Sequence, residues 1–204
     1  MKAEKEGSSR PLLVIISGPS GVGKDALLSR MRELGCPYYF TVTTTTRQMR
    51  AGERNGKDYY FVSKEEFLEL IRSDELLEWA QVYGNYYGVP RQQIRDALDR
   101  GQDVIIKTDV QGAATIHAKV PDALLIFLEP PTLEELGRRL RARMTESPSD
   151  LELRIETAKT ELDRKGAFDY VIVNENGQLD NAVVQVHDII QEEKRRNPHR
   201  AISL

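Results

Sequence analysis

The 204-residue sequence predicts an α/β fold, in which a parallel core sheet is flanked by helices and carries an inserted β-rich flap. Short apolar runs alternate with longer amphipathic segments, the pattern of parallel strands joined by crossover helices. A glycine-rich loop joins the first apolar run to a helical segment. The section from residue 40 to 89 breaks the alternation, because it is more polar and rich in threonine and aromatic residues.

Four apolar runs predict the strands of the core sheet. They span residues 12–17, 103–109, 123–129 and 170–174, and each is nearly continuous in Val, Ile and Leu. Such runs are typical of parallel strands that are buried on both faces, since a solvated face would introduce alternating polar residues.

Helices are predicted between and after these strands. One begins within the glycine-rich loop and ends near Gly35, and another is closed by Gly101. A third is opened by a capping box in which Thr132 precedes Glu135 by three residues. The helix closed by Gly101 covers residues 91–100, and the helix opened by Thr132 covers 132–143. Two more helices are predicted at 150–165 and 179–196.

The flap is assigned to residues 40–89, around a short helix at 64–72 that Ser63 and Glu66 cap. The remainder forms the core, at residues 11–39 and 90–195, with a helical lid at about 138–155. Residues 1–10 are predicted to be a disordered tail, and residues 196–204 a C-terminal tail.

Composition restricts the partners and the compartment. The formal net charge of −3 argues against a nucleic acid as the main partner. One cysteine, Cys36, cannot form an intrachain disulfide, which favours a reducing compartment. The apolar run at residues 12–17 is too short for a signal peptide or a membrane span. We therefore expect a cytoplasmic protein with no membrane partner, and the sequence leaves a homodimer open.

The glycine-rich loop reads as a phosphate-binding P-loop up to its last position. It comprises Gly18, Pro19, Ser20, Gly21, Val22, Gly23, Lys24 and Asp25. Glycines let successive N–H groups turn towards phosphate oxygens, the following helix adds its positive end, and Lys24 can neutralise charge between the β- and γ-phosphates. Its position between a buried strand and a helix favours a nucleoside triphosphate ligand over an ordinary turn.

A second group of polar residues lies in the flap. Arg47 and Arg50 are three residues apart in a turn-prone segment, and Tyr59 and Tyr87 add phenolic donors. Two guanidinium groups and two phenols suit a phosphate monoester dianion. Surface arginines and half-buried tyrosines are common, so the prediction depends on their occurring together.

From about residue 12 to 195 the sequence resembles the guanylate kinases. The resemblance rests on the P-loop and on the segments TTTRQMRAGERNGKDYYF, LEWAQVYGNYYG, TDVQGA, RRLRARMTES and FDYVIVN. It implies a P-loop nucleoside monophosphate kinase fold with a GMP-binding flap and a helical lid. It also implies ATP and GMP or dGMP as substrates and Mg²⁺ as cofactor.

The resemblance implies roles for single residues. Arg47, Arg50, Tyr59 and Tyr87 would hold the GMP phosphate, Glu78 and Thr43 would read guanine, and Asp109 would lie near the same ligand. Arg139, Arg143 and Arg154 would close over the triphosphate as lid arginines, with Lys24 catalytic and Asn174 on the adenine side. Glu78 suits its role chemically, because a carboxylate accepts from guanine N1–H and the 2-amino group, which adenine lacks.

Three positions depart from the family pattern. Asp25 replaces the P-loop hydroxyl, Lys107 stands where an acid is usual, and Val89 stands where Ser or Thr often contacts guanine. Asp25 is a candidate magnesium ligand beside the ATP phosphates. One hypothesis is that Asp25 and Lys107 form a single exchange that keeps a similar net charge. The alternative is that Asp25 caps the P-loop helix and Lys107 points to solvent.

Two other functions remain open from the sequence. The Gly-Lys-Asp ending of the P-loop also occurs in ribose 1,5-bisphosphate phosphokinases, although such an enzyme has no use for a base-reading Glu78. A non-catalytic guanylate-kinase-like interaction module would not need the P-loop lysine or the lid arginines. A substrate panel separates these possibilities.

Overall fold

A computed structural model describes residues 10–82, 84–142 and 148–204. Within them, five parallel strands form a core sheet in the order β2-β7-β1-β8-β9. Four of the strands lie within the predicted runs: β1 (Leu13–Ser17), β7 (Val104–Lys107), β8 (Leu124–Glu129) and β9 (Tyr170–Val173). The fifth, β2 (Tyr39–Phe40), is the start of a segment that the sequence assigned to the flap, but it pairs with β7 at the edge of the core sheet.

The central strand β1 separates two hydrophobic layers. Leu13 and Ile15 pack in one cluster, and Val14 and Ile16 pack in the other. Successive residues of a strand point to opposite faces of the sheet, which explains the division between two clusters. All four side chains are fully buried, so both faces of the sheet are covered. The continuous apolar runs of the sequence therefore reflect helices on both faces, as predicted.

Seven helices are described. Their bounds are α1 (Lys24–Glu33), α2 (Lys64–Arg72), α3 (Arg91–Asp99), α4 (Val110–Lys119), α5 (Leu133–Ala142), α6 (Pro148–Leu162) and α7 (Leu179–Arg196). The capping box before α2 is formed as expected, with the Ser63 hydroxyl accepting from the Glu66 N–H. Helix α4 was not predicted, and it begins directly after the Asp109 cap.

A second sheet of four strands has the order β4-β3-β6-β5. Its strands are β3 (Thr44–Thr45), β4 (Tyr60–Phe61), β5 (Leu76–Val82) and β6 (Asn85–Pro90). Strands β5 and β6 are antiparallel, whereas β3 and β4 are parallel. The register places Glu78 of β5 opposite Val89 of β6.

Only one of the two predicted tails lies in the described residues. The predicted N-terminal tail lies outside the described residues except for Arg10. At the other end, Arg200 donates to the carbonyls of Asp122 and Ala123, and Ile202 and Leu204 pack against the hydrophobic cluster that contains Leu13. Across the described parts of the chain, no helix has the length and apolar character needed to cross a membrane.

Candidate nucleotide site

The P-loop connects β1 to α1 through a backbone that requires glycine. Gly18 has a φ of 142°, and a Cβ there would lie 2.1 Å from the Leu128 carbonyl oxygen of the neighbouring strand. Gly23 has a φ of 107°, and a Cβ there would lie 2.5 Å from Nδ2 of Asn174. Both contacts are impossibly short, so side chains are excluded where the loop must turn tightly.

Lys24 folds back over the loop that precedes it. Its ammonium donates to the Gly18 carbonyl and, across 3.2 Å, to the Pro19 carbonyl. Burial lowers the pKa of Lys24 to about 8, and the nearby carboxylates of Glu161 and Asp25 oppose that shift. The ammonium is therefore held at the phosphate-binding loop by protein oxygens.

A cavity of about 450 Å³ adjoins the P-loop, and we call it the P-loop cavity. Its floor is formed by residues 19–25 and its side by Lys107, Thr108 and Asp109 at the end of β7. Helix α6 covers it with Leu153, Arg154, Thr157 and Glu161. The backbone N–H of Ser20 donates to the Glu161 carboxylate across 3.3 Å, so an anion is already bound to the loop.

A second cavity of about 240 Å³ lies between the core and the second sheet, and we call it the flap cavity. Its lining contains Thr43, Tyr59, Glu78, Tyr87, Val89 and Asp109. It shares Lys107, Thr108 and Asp109 with the P-loop cavity, so the two spaces meet at the carboxyl end of β7. Ligands of open α/β sheets bind at such strand ends.

Glu78 is the buried acid of the flap cavity, with 9% of its surface exposed. Burial raises the pKa of Glu78 to about 7, and the Asp109 carboxylate adds to the shift while Lys119 opposes it. Asp109 caps α4 by accepting from the Gly112 N–H across 2.7 Å. A Cβ on Gly112 would lie 3.2 Å from the Glu78 carboxyl group, so α4 packs directly against this acid.

The predicted phosphate clamp is partly assembled. Arg47 donates to Glu53 across 2.7 Å, and its guanidinium lies 5.3 Å from the centre of the Tyr59 ring. The rings of Tyr59 and Tyr87 meet edge to face at 6.2 Å. The Glu53 carboxylate also accepts from the Arg50 N–H across 2.7 Å, and the Arg50 side chain is exposed. Glu53, which the sequence did not single out, thus orders the loop that carries both arginines.

Two of the three predicted lid arginines lie in the described residues, and they take different positions. Arg154 lines the P-loop cavity. Arg139 lies behind the loop, where it donates to the carbonyls of Val22 and Asn174, to Asn176 Oδ1 and to Glu135. Arg143 lies outside the described residues.

Asn174 supports the P-loop from the same side as Arg139. Its buried side-chain amide donates to the Val22 carbonyl across 2.8 Å. Two side chains from different segments thus bind one loop carbonyl, which fixes the loop backbone between β1 and α1.

Asp25 and Lys107 contact each other, as the exchange hypothesis requires. The Lys107 ammonium donates to Oδ1 of Asp25 across 82 residues of sequence. The alternative in which Lys107 simply points to solvent is therefore wrong. Val89, the third departure, is buried and lines the flap cavity.

Glu161 is the other site residue that the sequence did not single out. It lies two turns after Arg154 on α6, and a spacing of 3 and 4 residues places Arg154, Thr157 and Glu161 on one helix face. That spacing was available from the sequence. Nothing local indicated that this face would meet the P-loop.

Fold and site together define the class of protein. A P-loop cavity for a triphosphate meets a second cavity, lined by phenols and a buried acid, at one edge of a parallel sheet, the arrangement of a nucleoside monophosphate kinase. The sequence model described as guanylate kinase matches residues 9–193, so the chain belongs to the guanylate kinase family.

Individual relatives agree with this assignment. The chain is 47% identical over 196 residues to guanylate kinase 2, chloroplastic/mitochondrial, of Oryza sativa subsp. japonica, covering 96% of this chain and 69% of that protein. It is 46% identical to the guanylate kinase of Synechococcus sp. (strain JA-3-3Ab), covering 93% and 86%. The crystal structure of guanylate kinase from Anaplasma phagocytophilum superposes with a TM-score of 0.73 at 34% identity, covering 94% and 90%.

Proposed function

We propose that the protein transfers the γ-phosphoryl group of ATP to GMP and dGMP by in-line displacement. The observation that carries this proposal is the meeting of the P-loop cavity and the flap cavity at residues 107–109. Phosphoryl transfer depends on bringing donor and acceptor into line and on neutralising charge between them. Two cavities that share one wall provide that alignment.

In this proposal, Glu78 selects the base. As a buried carboxylate it accepts hydrogen bonds from guanine N1–H and the 2-amino group, with Thr43 beside it in the flap cavity. Adenine has neither donor, and leaving a buried acid unpaired is costly enough to support discrimination of roughly 10⁴. Val89 contributes an apolar wall instead of a hydroxyl.

Arg47, Arg50, Tyr59 and Tyr87 hold the acceptor phosphate in the proposed complex. Arg47 and the two tyrosines already lie together, and Arg50 is in the same turn. Glu53 accepts from both Arg47 and the Arg50 backbone, which holds the turn that carries the two arginines. Two guanidinium groups suit a phosphate dianion in geometry and charge.

The donor side is formed by the P-loop, which binds the ATP phosphates through its N–H groups and Lys24. Arg154 faces the same cavity and neutralises charge that develops during transfer. Arg139 and Arg143 are proposed to join it as lid arginines. Asn174 is proposed to lie on the adenine side, and its bond to Val22 gives it a second task in holding the loop.

Magnesium is the proposed cofactor, held mainly by the ATP phosphates. Asp25 lines the P-loop cavity and would supply a carboxylate oxygen, the ligand type that Mg²⁺ prefers. Among the described residues, no group of three or more His, Cys, Asp or Glu residues is arranged for a metal. A site of one or two carboxylates completed by substrate phosphates fits this arrangement. When bound, the ion neutralises the phosphate oxygens.

A substrate panel tests the proposed function. With ATP as donor, product formation is measured for GMP, dGMP, AMP, IMP and ribose 1,5-bisphosphate. We expect turnover of GMP and dGMP far above that of AMP. Preferential turnover of the sugar phosphate would indicate a ribose 1,5-bisphosphate phosphokinase, and no turnover of any acceptor would indicate an interaction module.

The proposal also extends to the parts of the chain and to its setting. Residues 40–89, apart from Phe40 at the edge of the core sheet, form the GMP-binding flap, and about 138–155 the lid, both closing on the core at residues 11–39 and 90–195. The protein works in the cytoplasm, with no nucleic-acid or membrane partner. Light scattering of the purified protein tests for the homodimer that the sequence leaves open.

A further inference from the structure

Lys107 lines three neighbouring cavities of the candidate nucleotide site. It ends β7, where it is in register with Ile16, one residue before the end of β1. It lines the P-loop cavity and the flap cavity. It also lines a third cavity of about 540 Å³ between α1 and the flap, which includes Tyr59 and Glu53. An ammonium here is within reach of groups bound in any of the three spaces.

Asp25 holds that ammonium through its carboxylate. Lys107 is mostly buried, with 30% of its side chain exposed, whereas the Asp25 side chain is 73% exposed. An ion pair with one strongly solvated member contributes little to stability, so it can be exchanged at low cost. A phosphate with two negative charges competes well for the same lysine.

The charge of the site differs from that of the family pattern. A hydroxyl at position 25 and an acid at position 107 would together contribute −1, whereas Asp25 and Lys107 contribute 0. This site is therefore one unit more positive beside the phosphates, which revises the expectation of a similar net charge. Extra positive charge between two polyanionic substrates favours their approach.

We infer that Lys107 is a catalytic residue that contacts the phosphoryl group in transit, with Asp25 as its positioning residue. This inference rests on the proposed function and names a role in it for the β7 lysine. Asp25 aims the ammonium at the junction of the cavities. In the ternary complex the ammonium binds oxygens of the ATP γ-phosphate and of the acceptor phosphate.

The chemistry leaves the protonation of Lys107 unchanged. An oxygen of the acceptor phosphate forms a bond to the γ-phosphorus as the bond from that phosphorus to the β–γ bridging oxygen breaks, and ADP leaves with the electron pair. No general base is needed, since the attacking phosphate oxygen is already ionised. Lys107 acts by electrostatic stabilisation alone, so its contribution is greatest in the transition state.

The test compares Lys107→Met and Lys107→Arg with the control Lys159→Met. Lys159 is an exposed lysine of α6 that pairs with Glu156 and lines none of these three cavities. Pre-steady-state transfer is measured with saturating ATP and GMP, and the Kd of each nucleotide is measured separately. Lys107→Met should slow transfer by roughly 10²–10³-fold, the usual loss for one transition-state donor. Each Kd should change by less than about threefold, because the contribution of Lys107 is greatest in the transition state.

Lys107→Arg should retain more activity than Lys107→Met, because it keeps the charge. Lys107→Gln repeats the charge loss should the Met variant fail to fold. Asp25→Ser and Lys107→Asp should each slow transfer, and the double variant, which restores the family pattern, should recover most of the loss.

The outcomes separate this inference from the proposed function. Wild-type protein that fails to phosphorylate GMP would overturn the proposed function. If wild type is active, the inference on Lys107 is overturned when Lys107→Met and Lys159→Met transfer at the same rate. It is also overturned when the whole loss appears in the Kd of one nucleotide. Strict additivity of Asp25→Ser and Lys107→Asp would overturn the role of Asp25.

Discussion

The carboxylate of Glu161 accepts a hydrogen bond from the backbone N–H of Ser20, across 3.3 Å and 141 residues of sequence. The P-loop thus binds a protein anion with a group that is suited to phosphate. Glu161 also faces Lys24, and burial raises the pKa of Glu161 while the lysine opposes the shift. Helix α6 is therefore tied to the P-loop by this contact, which a phosphate group bound at the same N–H would have to replace.

Neutralising Glu161 should strengthen the binding of ATP. Glu161→Gln removes a negative charge from the P-loop cavity and should lower the Kd of ATP by about fivefold, equivalent to roughly 1 kcal/mol for one partly solvated charge pair. Calorimetric titration measures this, with Glu156→Gln on the exposed side of the same helix as control. Weaker ATP binding in Glu161→Gln would show that the carboxylate helps to hold the donor.

Base selection should depend on Glu78. Glu78→Gln leaves one acceptor oxygen but presents an amide donor to guanine, so we expect kcat/KM for GMP to fall at least about tenfold. The ratio of GMP to AMP turnover should fall with it. Glu75→Gln, three residues earlier and outside the lining of the flap cavity, is the matched control. An unchanged ratio in Glu78→Gln would mean that another group reads the base.

The long periodic elements were predictable from the sequence, and their bounds show why. Helix α7 covers Leu179–Arg196 as expected, because its apolar stripe repeats over five turns. Helix α4 was missed since its first turns carry the small residues Gly112, Ala113 and Ala114, which give little periodic signal. The only local signal for the start of α4 is its cap residue Asp109, which the sequence analysis places at the end of the preceding strand.

Residues of the candidate site could be proposed from the sequence where one segment carries them. The P-loop and the Arg47–Arg50 turn are of this kind. The contacts of Arg139 could not be predicted from the sequence, because its four acceptors come from three separate parts of the chain. The pairing of Lys107 with Asp25 was proposed only because both positions depart from a known pattern.

The acceptor-phosphate clamp should respond to one nucleotide and not to the other. Arg50→Ala removes a charge-assisted contact of roughly 1.5–3 kcal/mol, so the Kd of GMP should rise about 10- to 100-fold. The Kd of ATP should stay nearly constant, since Arg50 does not line the P-loop cavity. Arg54→Ala in the same turn serves as control, and both ligands are titrated separately. An equal loss for ATP would place Arg50 in the donor site.

Glu78 should also impose a pH-dependent cost on the ligand-free protein. Burial raises its pKa to about 7, from an ordinary value of 4.5. Between those pH values the folded protein binds more protons than the unfolded chain, so the free energy of unfolding falls as the pH rises through this window. Above pH 7 the full cost applies, up to about 3 kcal/mol.

Glu78→Gln removes that cost. In a chain of 204 residues, removing a free-energy cost of about 3 kcal/mol should raise the Tm at pH 8 by about 5–10 °C above that of wild type. At pH 4.5 the Tm values of variant and wild type should agree. Thermal unfolding at both pH values tests this, with Glu75→Gln expected to behave as wild type. Added GMP at one fixed concentration should raise the Tm of wild type more than that of Glu78→Gln, because the ligand supplies the donors that the buried carboxylate lacks. A variant no more stable than wild type at pH 8 would mean that Glu78 is ionised at no cost without its ligand.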